Sequence, residues 1–144
     1  MTSRILIVDD NQANTELLEA YLVELDCELE FAVDGDDALA KVETFKPDLI
    51  LLDVMMPKRS GFEVCQQLKS SDDTKAIMIL MVTALNELGD MERAVRAGTD
   101  DFISKPVNQM ELLRRIEIML SLKDIRDENE RLRQYIQRME DADE

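Results

Sequence analysis

Five polar residues in this chain stand where apolar runs stop. Asp9 and Asp10 follow the run at 5–8, Asp53 follows 49–52, Thr83 follows 77–82, and Lys105 follows a short run at 101–104. Three carboxylates brought into one pocket repel, so some must protonate or a cation must join them. The chain has no His, and its two cysteines, Cys27 and Cys65, are isolated. A cluster of hard oxygen donors without His or Cys suits Mg2+. One divalent ion and Lys105 together cancel three carboxylates, which lets the acids stay ionised at a partly dry site. Mg2+ usually keeps several waters, so two carboxylates and a backbone carbonyl suffice to bind it, and open positions admit phosphate oxygens. A carboxylate beside a metal, a lysine and a hydroxyl is equipped to accept a phosphoryl group. It attacks phosphorus in line and forms an acyl phosphate, while the cations neutralise the equatorial oxygens.

The elements that must position these residues alternate strand with helix. Residues 5–8, 49–52 and 77–82 are unbroken apolar runs of strand length. Residues 29–33 form a more polar strand, expected nearer an edge, and 101–104 a short fifth. Between them, Leu17, Leu18, Tyr21, Leu22 and Leu25 recur at helical spacing, as do Ala38, Leu39, Val42 and Phe45, with Lys46-Pro47 ending that helix. Ser60-Gly61 opens a third helix carrying Phe62, Val64, Cys65 and Leu68. Leu88, Met91 and Val95 mark a fourth, closed by Gly98. This rhythm predicts an α/β fold: a parallel sheet of five strands, covered on both faces. In such sheets ligands bind at the carboxyl ends of strands where the order reverses, which is where the five polar residues fall.

Composition sets bounds on the rest. The 144 residues suffice for one domain and an appendage, with 45% hydrophobic content to build a core. A formal net charge of −15, from 32 acids against 17 bases, argues against direct nucleic-acid binding through a basic face. The first apolar run is too short for a signal peptide, and no run approaches a membrane span. Two lone cysteines read as packing residues in a reducing compartment, so a cytoplasmic location is expected.

The segments ILIVDD, LILLDVMMP, MVTA and DFISKP, in this order and spacing, resemble the receiver domain of bacterial two-component response regulators over about residues 3–122. The resemblance implies that Asp53 accepts a phosphoryl group from a histidine kinase or a histidine phosphotransfer protein. It implies that Asp10 binds Mg2+ directly, Asp9 largely through water, and Met55 through its backbone carbonyl. It implies contacts from Thr83, Lys105 and the Ala84 backbone N–H to phosphoryl oxygens, and a cis peptide at Lys105-Pro106. It also implies a doubly wound sheet of flavodoxin-like order 2-1-3-4-5, and a switch in which Thr83 moves inward and Phe102 fills the vacated space. Many receivers carry Tyr where Phe102 stands; a phenyl ring cannot hydrogen-bond, so packing alone would carry the readout. Lys58-Arg59 replaces an acidic residue often found near this position, which bears on kinase docking or dephosphorylation. Ser60 can still cap the helix.

Beyond residue 122 the helical pattern continues. Ile118, Leu122, Ile125, Asn129, Leu132, Ile136 and Met139 are spaced four and three in alternation, a heptad seam with Asn129 at a central a position. The spacing predicts one helix over 108–140, about 50 Å long, projecting roughly 30 Å past the body. Residues 1–122 are then a receiver and 123–144 an extension forming a parallel dimeric coil, with Glu128 facing Arg133 of the second chain. The pattern resembles receivers linked to cyclic-di-GMP enzymes; otherwise the chain is a stand-alone dimeric relay, and no separate substrate turnover is expected. Three competing classes differ at named residues. A haloacid-dehalogenase-type phosphatase would carry a second Asp where Met55 stands. A flavin module would want a Ser-, Thr- or Gly-rich loop where Asp9-Asp10-Asn11 stands. A purely structural dimeriser would be indifferent to Asp53→Asn.

Overall fold

The computed structural model describes residues 2–56, 58–84, 88–125 and 127–142, without the side chains of 88–90. Strands β1 (Ser3–Val8), β2 (Cys27–Ala32), β3 (Leu49–Leu52), β4 (Met78–Thr83) and β5 (Asp101–Ser104) form one sheet in the order β2-β1-β3-β4-β5. Every pairing is parallel. The fully apolar runs become the interior strands β1, β3 and β4, and the more polar β2 lies at an edge, as a sheet buried on both faces requires.

Side-chain alternation along each strand feeds two cores. Leu6, Val8, Ile50, Leu52, Ile79 and Met81 pack with the helices α2 (Gly35–Phe45), α3 (Gly61–Lys69) and α4 (Leu88–Ala97). Ile5, Ile7, Leu49, Leu51, Met78, Leu80 and Val82 pack with α1 (Gln12–Tyr21) and α5 (Gln109–Ser121). Each fully buried Leu or Ile adds roughly 1.5–3 kcal/mol, which fixes the floor beneath the strand ends. The helices begin where the sequence offers caps: Asn11, Asp34, Ser60 and Asn108 each accept a bond from a backbone N–H three residues on. Gly98 ends α4 at φ +91°, a conformation that favours glycine.

Helix α4 forms where expected but packs by other residues: Ala94 and Ala97 are buried, whereas Met91 and Val95 are 40% and 72% exposed. Leu88's side chain lies outside the described residues. The small alanines let α4 sit close to α3, where Cys65 Sγ lies 3.3 Å from Ala97 O, and a spacing rule weighted toward large apolar residues overlooks them.

The C-terminal helix is present, but not as a continuation of α5. Helix α5 ends at Ser121, and α6 (Glu128–Ala142) is a separate helix. Leu122, expected on an exposed seam, is fully buried, and Ile125 is half-buried. The N–H groups of Leu122 and Ile125 bond three residues back, to Met119 and Leu122, which tightens and stops the helix. Asp127 then starts a new one, its carboxylate accepting from Glu130 N–H at 2.8 Å and its carbonyl from Arg131 N–H at 2.9 Å. Asp127 with Glu130 three residues on is the start signal the heptad reading passed over; Arg126 lies outside the described residues. Helix α6 turns back on the body: Arg131 donates to the Ala76 carbonyl at 2.9 Å, and Tyr135 hydroxyl donates to Asp101 at the start of β5. The expected 30 Å projection is therefore absent.

Candidate phosphoacceptor site

The sheet order makes β1 and β3 neighbours at the point where the connection direction reverses, so their C-terminal residues meet. The ladder runs on past both strands: Asp9 N–H bonds Ala32 O at 3.1 Å, and Asp53 N–H bonds Val8 O at 2.9 Å. Asp9, Asp10 and Asp53 each offer a carboxylate oxygen, and these oxygens lie within 4.8 Å of one another. Asp9 and Asp53 are buried, whereas Asp10 faces solvent. Lys105, held by its N–H to Thr83 O at 2.8 Å, places its ammonium 3.3 Å from Asp9 and 3.7 Å from Asp53. The peptide between Lys105 and Pro106 is cis. Thr83 is buried at the end of β4, and Ala84 beside it is exposed.

Local bonds aim the acids. Asn11 N–H donates to Asp9 at 2.9 Å, and Met55 N–H approaches Asp53 at 3.4 Å. Gly61 N–H bonds Val54 O at 3.0 Å, pinning the start of α3 to the loop after β3. A Cβ on Gly61 would meet the Asp53 carbonyl at 2.4 Å and Val54 Cα at 2.8 Å, so this close approach needs glycine. Burial raises the Asp53 pKa first, and the neighbouring Asp9 charge raises it further; Lys105 and the Met55 and Val54 N–H groups offset part of this. Three carboxylates and one ammonium leave two negative charges at the lip of the sheet, and this acidic pocket can bind a divalent cation.

The predicted residues therefore converge at one end of the sheet. Residues 5–117 match the family described as the response regulator receiver domain. The chain belongs to that family. The receiver is 42% identical over 128 residues to the response regulator PleD of Caulobacter vibrioides, covering 89% of this chain and 28% of that protein. It is 40% identical over 125 residues to the alkaline phosphatase synthesis transcriptional regulatory protein PhoP of Bacillus subtilis, covering 87% of this chain and 51% of that one. The chain thus spans from about a quarter to about half of these two curated relatives. A CheY-like receiver domain crystal structure from Methanospirillum hungatei superposes with TM-score 0.79 at 31% identity, covering 86% of this chain and 98% of that one.

Phe102 lies one pleat from the site. It pairs with Met81 in the ladder and lines, with Thr83, Met91, Val54, Phe62 and Ala94, a small cavity of about 10 Å3. Lys58 and Arg59 turn away from the three acids: Lys58 pairs with Asp34 at 3.3 Å, and Arg59 with Asp36 at 2.7 Å, both at the start of α2. Met55, where a phosphatase would need its second acid, is a 66% exposed thioether. Among the described residues no helix is long and apolar enough to cross a membrane.

Sequence reasoning missed a second polar cluster, at the other end of β5. Asp101 accepts at one carboxylate oxygen from Arg115 and from Tyr135 hydroxyl, and at the other from Phe102 N–H at 2.8 Å. Arg115 also pairs with Glu111 at 3.2 Å. The available signal was Asp101 immediately before the apolar pair Phe102-Ile103 of the strand; its partners come from two later helices that spacing alone does not bring together.

Proposed function

We propose that this receiver is a phosphorylation-controlled signalling switch with Asp53 as its phosphoacceptor. A histidine kinase or a histidine phosphotransfer protein would be the donor, and the protein would work in the cytoplasm. Asp53 carboxylate oxygen attacks phosphorus, forming the acyl phosphate P–O bond as the P–N bond to the donor imidazole breaks; the departing imidazole regains its proton. Lys105, the Thr83 hydroxyl and the Ala84 N–H bind the transferred oxygens. Asp10 directly, Asp9 largely through water, Asp53, and the Met55 carbonyl would hold Mg2+, which supplies charge neutralisation for the incoming group. Thr83 then draws toward the phosphoryl group and Phe102 shifts into the adjoining gap, redistributing the conformers of α4, β5 and α5.

The observation supporting this reading is the meeting of three carboxylates within 4.8 Å, two of them already touching Lys105. The test is labelling with a small phosphodonor, with and without Mg2+, in the wild type and in Asp53→Asn, read by intact mass. One phosphoryl group should appear only with Asp53 and Mg2+ both present. Labelling of the variant at the wild-type rate would sink the assignment.

Residues 123–144 serve in this reading as a homodimerising extension that passes the switch on, in the whole protein, to an output domain or a relay partner. Leu132 and Ile136, 54% and 48% exposed, leave an apolar strip on α6, flanked by Asn129 and Met139. Leu122 and Ile125 belong to the turn that precedes α6, so only this shorter strip is on hand to pair. Sedimentation with and without beryllofluoride, a phosphoryl mimic, tests the dimer.

A further inference from the structure

Helix α6 docks by Arg131 and by Tyr135, whose ring packs against the core beside α5, and turns Leu132 and Ile136 toward solvent. Arg131 is 8% exposed and bonds the carbonyls of Ile125 at 3.0 Å and Ala76 at 2.9 Å. Tyr135, one turn on, donates to Asp101; Arg138 donates to Ser121 at the end of α5. Leu132 and Ile136 are exposed beside them. Among the described residues Tyr135 alone carries apolar surface of α6 into the core, so the docking leans on a few directional bonds more than on apolar burial. Hydrogen bonds weaken steeply with distance and angle, so a small displacement of one partner suffices to release the helix.

The partner most exposed to displacement is Asp101. Its carboxylate is tied to the N–H of Phe102, and four residues further along stands Lys105, whose ammonium contacts Asp9 and Asp53. One short strand therefore carries the phosphoacceptor's lysine at one end and α6's anchor at the other. We propose that α6 is a polar latch on β5, closed while Asp53 is unmodified and opened when a phosphoryl group takes over Lys105 and Thr83. This rests on the phosphoacceptor reading above. A phosphoryl group that recruits Lys105 and Thr83, with Phe102 following Thr83, shifts β5, and Asp101 cannot then satisfy Phe102, Arg115 and Tyr135 in their present positions. The Tyr135 bond is the one to yield, because Arg115 holds Asp101 by charge as well as by hydrogen bond. Opening frees residues 128–142 from the body, including the strip around Leu132 and Ile136. Coupling of this kind is reciprocal: weakening the latch must tighten the binding of a phosphoryl mimic.

The test is hydrogen exchange by mass spectrometry on the full chain, as a titration with beryllofluoride and Mg2+, in wild type, Tyr135→Phe and Arg131→Ala. In the wild type, peptides from 128–142 should be protected without the mimic and exchange about tenfold faster with it. Tyr135→Phe should exchange fast without the mimic and bind it roughly three- to tenfold more tightly. Arg131→Ala should loosen α6 by a different contact and tighten the mimic in the same direction. If peptides around Asp53 and Lys105 respond to the mimic while 128–142 keeps its protection, the latch is refuted and the receiver reading stands. If no peptide responds, the phosphoacceptor reading fails and the latch with it. Unchanged mimic affinity in both variants, with α6 loosened, also refutes the coupling.

Discussion

The two ends of β5 each gather carboxylate and cation, yet they are opposites. At the C-terminal end three acids share one lysine, so the pocket is short of positive charge. At the N-terminal end Asp101 meets Arg115, Tyr135 hydroxyl and Phe102 N–H, so its oxygens are well supplied with donors. Geometry alone would make both look like salt bridges. The balance of charge distinguishes them: an undersupplied cluster recruits a cation and an anionic group, whereas a saturated one holds two elements together.

The difference should appear as opposite signs on mutation. Asp53→Asn should abolish phosphodonor labelling, whereas Asp101→Asn should leave it within a few-fold of wild type. Gly61→Ala forces a Cβ against the Asp53 carbonyl and should cost about 1–3 kcal/mol in urea denaturation while slowing labelling; unchanged values would show that the loop is looser than its contacts. Asp101→Asn should cost about 2 kcal/mol, because Arg115 keeps only Glu111 as a counter-charge and Tyr135 loses a charged acceptor.

Asp53→Asn should instead raise the Tm of the metal-free protein at neutral pH. The fold raises the Asp53 pKa, so it favours the protonated acid and disfavours the ionised one. The penalty is absent below the ordinary carboxylate range and fully present above the raised value. The gap between variant and wild type should therefore close on acidification, and Mg2+ should narrow it at neutral pH; a gap that widens toward acid would reverse the sign assigned here. The smallest effect belongs to Lys58→Ala. Its side chain is 62% exposed and its ammonium is engaged with Asp34, so labelling rates should change by less than about twofold.

The strands and their ends were legible in the sequence because apolar runs of strand length have few alternatives and the polar residues that stop them are conspicuous; the strand order came with the receiver resemblance. Asp9, Asp10, Asp53, Thr83 and Lys105 all fell at one edge for that reason. The packing face of α4 was not legible, because Ala94 and Ala97 bury by being small, while Met91 and Val95 carry most of the hydrophobic signal and remain outside. The tail was misread for a related reason. Its heptad spacing runs unbroken through Leu122, but that leucine is claimed by the core, and Asp127 with Glu130 restarts the helix in a new direction. Periodicity reports which residues could share a face; it does not report which of two faces the rest of the molecule will occupy.

Four residues of β5 also act as a ruler. Ile103 turns toward the α5 side of the sheet and Phe102 toward the α4 side. One residue inserted or removed between Asp101 and Lys105 would swap those sides and draw the lysine out of reach of the two buried acids. The strand itself has a permitted length of one value, set by the distance between a charge that must react and a charge that must hold.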